Sequence, residues 1–165
     1  MSIEDATGDE KRPLHEVALA TDRVKAARQG IDETGAHVFL TARCEAWLVG
    51  DPEPLRTAVD RLVEYAGAGA DCLYAPGVRD PEEIATIVKA VHPKPVNVLV
   101  SSAVPGLSVS RLADIGVRRI SVGSALARVA WGAFMSAAGS LRETGELGAL
   151  GDAASFVDID ARLQG

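Results

Sequence analysis

The chain has 165 residues, 47% hydrophobic and 24% charged, with a net charge of −6. That is the balance of a globular domain with a real core. An acidic chain without a Lys/Arg stripe argues against nucleic-acid binding, and the lack of an apolar run of about 18 residues argues against a membrane-spanning helix.

Met1–Asp5 reads as the end of a strand, and the acidic first ten residues lack the apolar core of a secretory signal. Ala6–Pro13 is polar and turn-like. A helix is expected to open at Pro13, with Leu14, Val17, Val24, Ala27 and Ile31 on one face and Gly35 as its C-terminal cap. Val38–Thr41 reads as a strand of a parallel sheet, apolar because both faces are covered. It runs into Arg43 and Glu45. An arginine at a strand's carboxyl end offers a planar donor fork matched to a carboxylate or phosphate, although Arg43 with Glu45 reads equally as a salt bridge capping the strand.

Gly50-Asp51-Pro52 predicts a helix start with Asp51 as cap, and Leu55, Val59, Leu62 and Ala66 on its buried side. Asp71–Ala75 is a short strand closed by Pro76-Gly77. Asp80-Pro81-Glu82-Glu83 is a helix start, with Ile84, Ile87, Val88 and Val91 following on one face. Val96–Val100 is a strand carrying Asn97. Ser108 caps a short helix closed by Gly116, Val117–Val122 is a strand, and a last long helix spans about Ala125–Arg142, with Leu126, Val129, Ala133, Ala137 and Leu141 inward. The tail carries Phe156, Val157, Ile159 and Leu163, an amphipathic segment suited to docking on this chain or a neighbour.

Strand–helix alternation repeated about five times implies an α/β fold with a parallel sheet. At roughly 31 residues per unit, five units fill about 155 residues. This leaves two architectures, an open sheet or a partial (β/α)8 TIM-type barrel. The expected division is 1–145 for the partial barrel and 146–165 for a tail packing on it or on a neighbouring subunit. Cys44 and Cys72 show neither metal spacing nor a disulfide framework, which suits a cytoplasmic protein. Cys44 reads as core filler. His15, His37 and His92 stand singly and read as surface or turn residues.

Five motifs occur in order: S-I-E-D at Ser2–Asp5, L-T-A-R-C-E-A at Leu40–Ala46, G-A-G-A-D-C-L-Y-A-P-G at Gly67–Gly77, P-V-N-V-L at Pro95–Leu99 and G-V-R-R-I-S-V-G-S at Gly116–Ser124. Together they resemble the second half of the isocitrate lyase / phosphoenolpyruvate mutase superfamily, in a carboxyphosphonoenolpyruvate phosphonomutase-like or oxaloacetate decarboxylase-like branch. The resemblance implies a barrel and Mg²⁺-dependent lyase or mutase chemistry at a C–C or P–C bond of a small α-keto or enolpyruvate acid, through an enolate-like species. It implies Arg43 as the catalytic grip on the substrate's carboxylate or phosphonate. Glu45 would orient that arginine or line the pocket, and Asn97 would line the substrate site. Glu4 would hold the metal through water, with Asp5 in support. Other readings stay open: a solvated chain end for Glu4 and Asp5, a buried amide bonded to backbone for Asn97, and turn glycines at Gly77 and Gly123.

Two departures qualify the likeness. The lyase branch carries a Lys-Lys-Cys-Gly-His-like loop where this chain reads A-T-G-D-E-K-R-P-L, without a cysteine. The chain also begins at what would be the fourth strand, without the aspartates that bind Mg²⁺ most directly. The expectation is therefore either an enzyme of the family or a catalytically incomplete barrel fragment that self-associates as a homo-oligomer. A third reading is a phosphate-binding barrel half, built on Gly123 and Ser124.

Overall fold

The computed structural model describes residues 1–164. Five short strands alternate with helices: β1 Ser2–Glu4, α1 Val17–Thr34, β2 Thr41–Arg43, α2 Pro54–Gly67, β3 Cys72–Tyr74, α3 Pro81–Val91, β4 Val96–Leu99, α4 Val109–Ile115 and β5 Arg119–Ser121. After these come α5 Ala125–Thr144, a 3₁₀ turn Gly148–Asp152 and α6 Phe156–Leu163. All four strand pairings are parallel, and the sheet order is β1-β2-β3-β4-β5.

That order separates the two architectures left open by the sequence. A doubly wound sheet reverses its strand order partway, whereas a barrel adds each strand beside the last. Curvature points the same way. The Arg119 guanidinium on β5 donates to Thr41 Oγ1 on β2 at 3.2 Å. Strands lie about 4.8 Å apart, so three steps across a flat sheet is about 14 Å, with side chains standing perpendicular. The two side chains can meet only across a curled, concave face. The fold is α/β, a partial TIM-type barrel of five units.

The register sorts the side chains. Ile3, Ala42, Leu73, Val96, Val98 and Ile120 point to the convex face and pack with Val24, Leu62, Tyr65, Ile84, Ile87 and Leu112 of the helices. The fully buried aliphatic side chains among them contribute about 1.5–3 kcal/mol each, and Ile3 and Ile120 are only partly buried. The concave face carries Glu4, Thr41, Arg43, Tyr74, Asn97, Arg119 and Ser121. The strands are therefore apolar on one face only, not apolar throughout as expected for a doubly covered sheet.

Several boundaries differ from the sequence reading. Pro13 does not open α1, because Thr7 N donates to the Pro13 carbonyl at 2.9 Å and Ala6 bridges Leu14, which closes a loop ahead of the helix. Asp51 does not cap α2. Its carboxylate accepts from Glu53 N at 2.8 Å and Thr57 Oγ1 at 3.2 Å, a turn that defers the helix start to Pro54. Val38 and Phe39 precede β2 and are exposed, while Leu40 to Ala42 are buried. Asp80 does cap α3 through Glu82 N, and Ser108 caps α4 through Arg111 N.

The compact units part at Gly123/Ser124, ahead of α5. Within the second unit, α5 buries none of its residues, so Leu126 and Val129 are exposed where an inward face was expected. A unit of two helices and one turn cannot cover both sides of a 20-residue apolar helix. Trp131 and Phe134 meet edge to face at 5.5 Å on that helix, and Phe156 and Leu163 of α6 are exposed.

Candidate functional site at the carboxyl rim of the sheet

Glu4, Arg43 and Tyr74 occupy one row across β1, β2 and β3, and Asn97 follows on β4. Parallel register delivers all four to the concave face near the strands' carboxyl ends. Arg43 is held from three sides. Its Nε donates to Glu45 Oε1 at 2.7 Å, its Nη1 lies 3.3 Å from Glu4 Oε2, and its guanidinium stands over the Tyr74 ring at 5.2 Å. Two carboxylates and an aromatic face restrict the rotamers of a long side chain, so its remaining N–H groups are presented in a fixed plane.

The contacts on Arg43 are unequal. The Glu45 side chain is only 6% exposed, and the Glu4 side chain 54%. Glu4 is a solvated partner able to exchange Arg43 for another ligand at modest cost. Burial raises the Glu45 pKa, although its contact with Arg43 works in the opposite direction. Burial also raises the Tyr74 pKa, so its hydroxyl stays protonated at neutral pH.

Beneath the rim lies a buried network that the sequence reading did not foresee. Asp5 is 2% exposed. Its Oδ1 accepts from Glu45 N at 2.9 Å, and its Oδ2 accepts from Tyr65 OH at 2.7 Å and Arg61 Nη1 at 3.2 Å. Both Asp5 oxygens are thus engaged inside the protein, fixing the backbone from which Glu45 reaches Arg43. Arg61 and Tyr65 lie one turn apart on α2, a helical spacing that puts both on one face. That spacing was the available signal for them, but helix periodicity alone did not mark their polar ends. Cys44 is fully buried, and burial beside Asp5 pushes its thiol pKa up, so the thiol is inert.

Asn97 does not bond to backbone through its amide nitrogen. Nδ2 donates to Ser121 Oγ at 3.0 Å, and the buried Oδ1 has no hydrogen-bond partner. Gly77 is a turn glycine at φ +98°, where a Cβ would lie 2.7 Å from Trp47 Cβ. Gly123 also has positive φ, at +54°, and Ser124 makes no side-chain cap bond.

The residues present do not by themselves fit a resident Mg²⁺. Among the described residues no group of three or more His, Cys, Asp or Glu side chains could hold a metal. Asp5 is consumed by its network, and Glu4 and Glu45 both face Arg43. Mg²⁺ needs near-octahedral oxygen ligands, of which waters and substrate can supply several. Glu4 alone suits an outer, water-mediated contact. Among the described residues no helix is long and apolar enough to cross a membrane.

A family model described as phosphoenolpyruvate phosphomutase matches residues 1–142. An uncharacterized protein of Mycobacterium tuberculosis (strain ATCC 25618 / H37Rv) is 33% identical over 124 residues, which is 75% of this chain and 44% of that protein. The chain therefore spans less than half the length of the curated relatives it matches. A candidate lyase/mutase from Burkholderia cenocepacia J2315 has a solved structure that is similar at 41% identity and TM-score 0.89, covering 99% of this chain and 58% of that one. A candidate phosphonomutase from the same organism is similar at 32% identity and TM-score 0.72, covering 84% and 56%.

Proposed function

The chain belongs to the phosphoenolpyruvate phosphomutase family, and from that premise we propose that it serves lyase or mutase chemistry at a C–C or P–C bond of a small α-keto or enolpyruvate acid. The observation that supports this reading most directly is the fixed guanidinium of Arg43 at the carboxyl rim, held by Glu45 at 2.7 Å and Glu4 at 3.3 Å.

Arg43 binds the substrate's carboxylate or phosphonate. Glu4, exposed and weakly held, yields to the incoming anion, while buried Glu45 keeps the fork in place. A fixed cation beside the reacting carbon stabilises negative charge as it spreads into an enolate, without reorganisation at the moment of reaction. Tyr74 covers one guanidinium face and excludes water from it. Glu4 is left for an outer contact to Mg²⁺ through water, and no step of this reading passes through the ion. A cytoplasmic location belongs to the same reading.

The test is turnover of phosphonopyruvate and oxaloacetate in Mg²⁺ buffer, followed by ³¹P and ¹H NMR. Conversion of either substrate that disappears in Arg43→Ala, with the fold retained, is the expected result. Conversion that persists in Arg43→Ala, or none with either acid, overturns it.

The second reading is an incomplete barrel that self-associates. What favours it is that β1 and β5 lie at the two margins of the described sheet and that no metal-ligand set is found among the described residues. Unpaired strand edges invite pairing with another chain. Light scattering checks this: a cooperative, monomeric species at all concentrations rules it out.

A further inference from the structure

We propose that Arg119 is a second anion anchor on the concave face, and that with Asn97 it selects a small carboxylate bearing a hydroxyl group. The proposal keeps from the reading above that the ligand is a small carboxylic acid, and it concerns groups that make no bond to Arg43.

A cavity of about 450 Å³ is lined by Thr41, Tyr74, Asn97, Arg119 and Ser121, among others. That is ample for an acid of three or four carbons. Two features of its lining are incomplete. Arg119 has no carboxylate within ion-pair distance among the described residues, and its guanidinium donates to the neutral Thr41 hydroxyl at 3.2 Å. This contrasts with Arg43, which already faces two carboxylates. Of the two concave-face arginines, Arg119 is therefore the one without a carboxylate partner among the described residues, and its planar fork matches one.

The second feature is Asn97. The residue is 2% exposed, and its Oδ1 is buried without a partner while Nδ2 is taken by Ser121. A carbonyl oxygen can only accept, and leaving a buried acceptor unmet is costly. A ligand filling this cavity meets that need with an O–H donor. Asn97 and Arg119 are register partners on adjacent strands, so one small molecule can reach both. A carboxylate for Arg119 and a hydroxyl for Asn97 define a hydroxy acid.

The experiment is a ¹⁵N–¹H NMR titration of the full chain with tartronate, and separately with malonate, which differs only by the hydroxyl. The expected result is saturable shifts of the Asn97 side-chain amide and the Arg119 Nε–H with tartronate, and about tenfold weaker binding of malonate. Arg119→Gln should weaken tartronate at least tenfold. Arg119→Lys keeps the charge without the fork, so it should weaken tartronate several-fold, and it carries the test if the glutamine variant does not fold. Unchanged affinity in a folded Arg119 variant, malonate binding as tightly as tartronate, or no saturable shift overturns the proposal. Turnover plays no part in this readout, so a failed enzyme assay leaves the binding result standing, and failed binding leaves the assay standing.

Discussion

Asp5→Asn is the sharpest perturbation of the rim's foundation. The carboxylate is 2% exposed and accepts three hydrogen bonds, one from the Arg61 guanidinium, whose side chain is itself only 10% exposed. An asparagine keeps one acceptor oxygen, enough for Glu45 N, but it cannot offset a buried cation. Removing one partner of a buried ion pair costs about 3–5 kcal/mol, mostly because the surviving charge is left uncompensated. Near-isosteric replacement places this variant at the low end, about 3 kcal/mol. With a urea slope of about 2 kcal/mol/M, the midpoint should fall by about 1.5 M. Urea unfolding followed by far-UV circular dichroism reads this directly. The double variant Asp5→Asn/Arg61→Leu should recover part of the loss, since it removes the uncompensated cation while the asparagine oxygen still accepts from Glu45 N. A loss below about 1 kcal/mol in Asp5→Asn would refute the reasoning, because that is the behaviour of a solvated surface carboxylate.

Tyr65→Phe removes one donor to Asp5 without touching its charge, so it should cost about 1–2 kcal/mol in the same urea assay. Glu45 gives a pH test. Its folded pKa is raised by burial, so the folded state holds its proton more tightly than the unfolded chain. The associated stability is present below the unfolded value of 4.5 and is lost as pH rises through the raised folded value. Urea midpoints just above pH 4.5 should therefore decline more steeply in wild type than in Glu45→Gln, and identical slopes would contradict this. Gly77→Ala meets Trp47 Cβ at 2.7 Å in a left-handed backbone, and should cost about 2 kcal/mol or more. Asp80→Ala deletes a formed cap and should cost about 1 kcal/mol, read by thermal melting.

How much of this was legible in the sequence depends on what each signal measures. The α3 start was legible because Asp80-Pro81 carries its mechanism within adjacent residues. The α1 and α2 starts were not, since Pro13 and Asp51 have the right identities but spend their bonds on loops. Motif order located Arg43, Glu45 and Glu4, and the register brings these three together. Asp5, one residue on from Glu4, points to the opposite side and into the α2 network, because side-chain direction alternates along an extended strand. Arg61, Tyr65 and Arg119 went unread for a different reason. They act across the fold, and nothing local marks a polar side chain whose partner lies tens of residues away. The apolar face of α5 was legible as a pattern, but periodicity names a face without saying what, if anything, covers it.

β1 is three residues long and lies at the margin of the sheet, yet Glu4 and the adjoining Asp5 supply an acidic partner to arginines on two other elements. Fraying of that short margin would release Arg43 from above and Arg61 from below in a single event. On the proposed reading, anion binding at the rim is tied to local opening of this outermost ribbon rather than to global melting. Amide exchange along residues 2–5 should track loss of anion binding on warming, well before the helices give way.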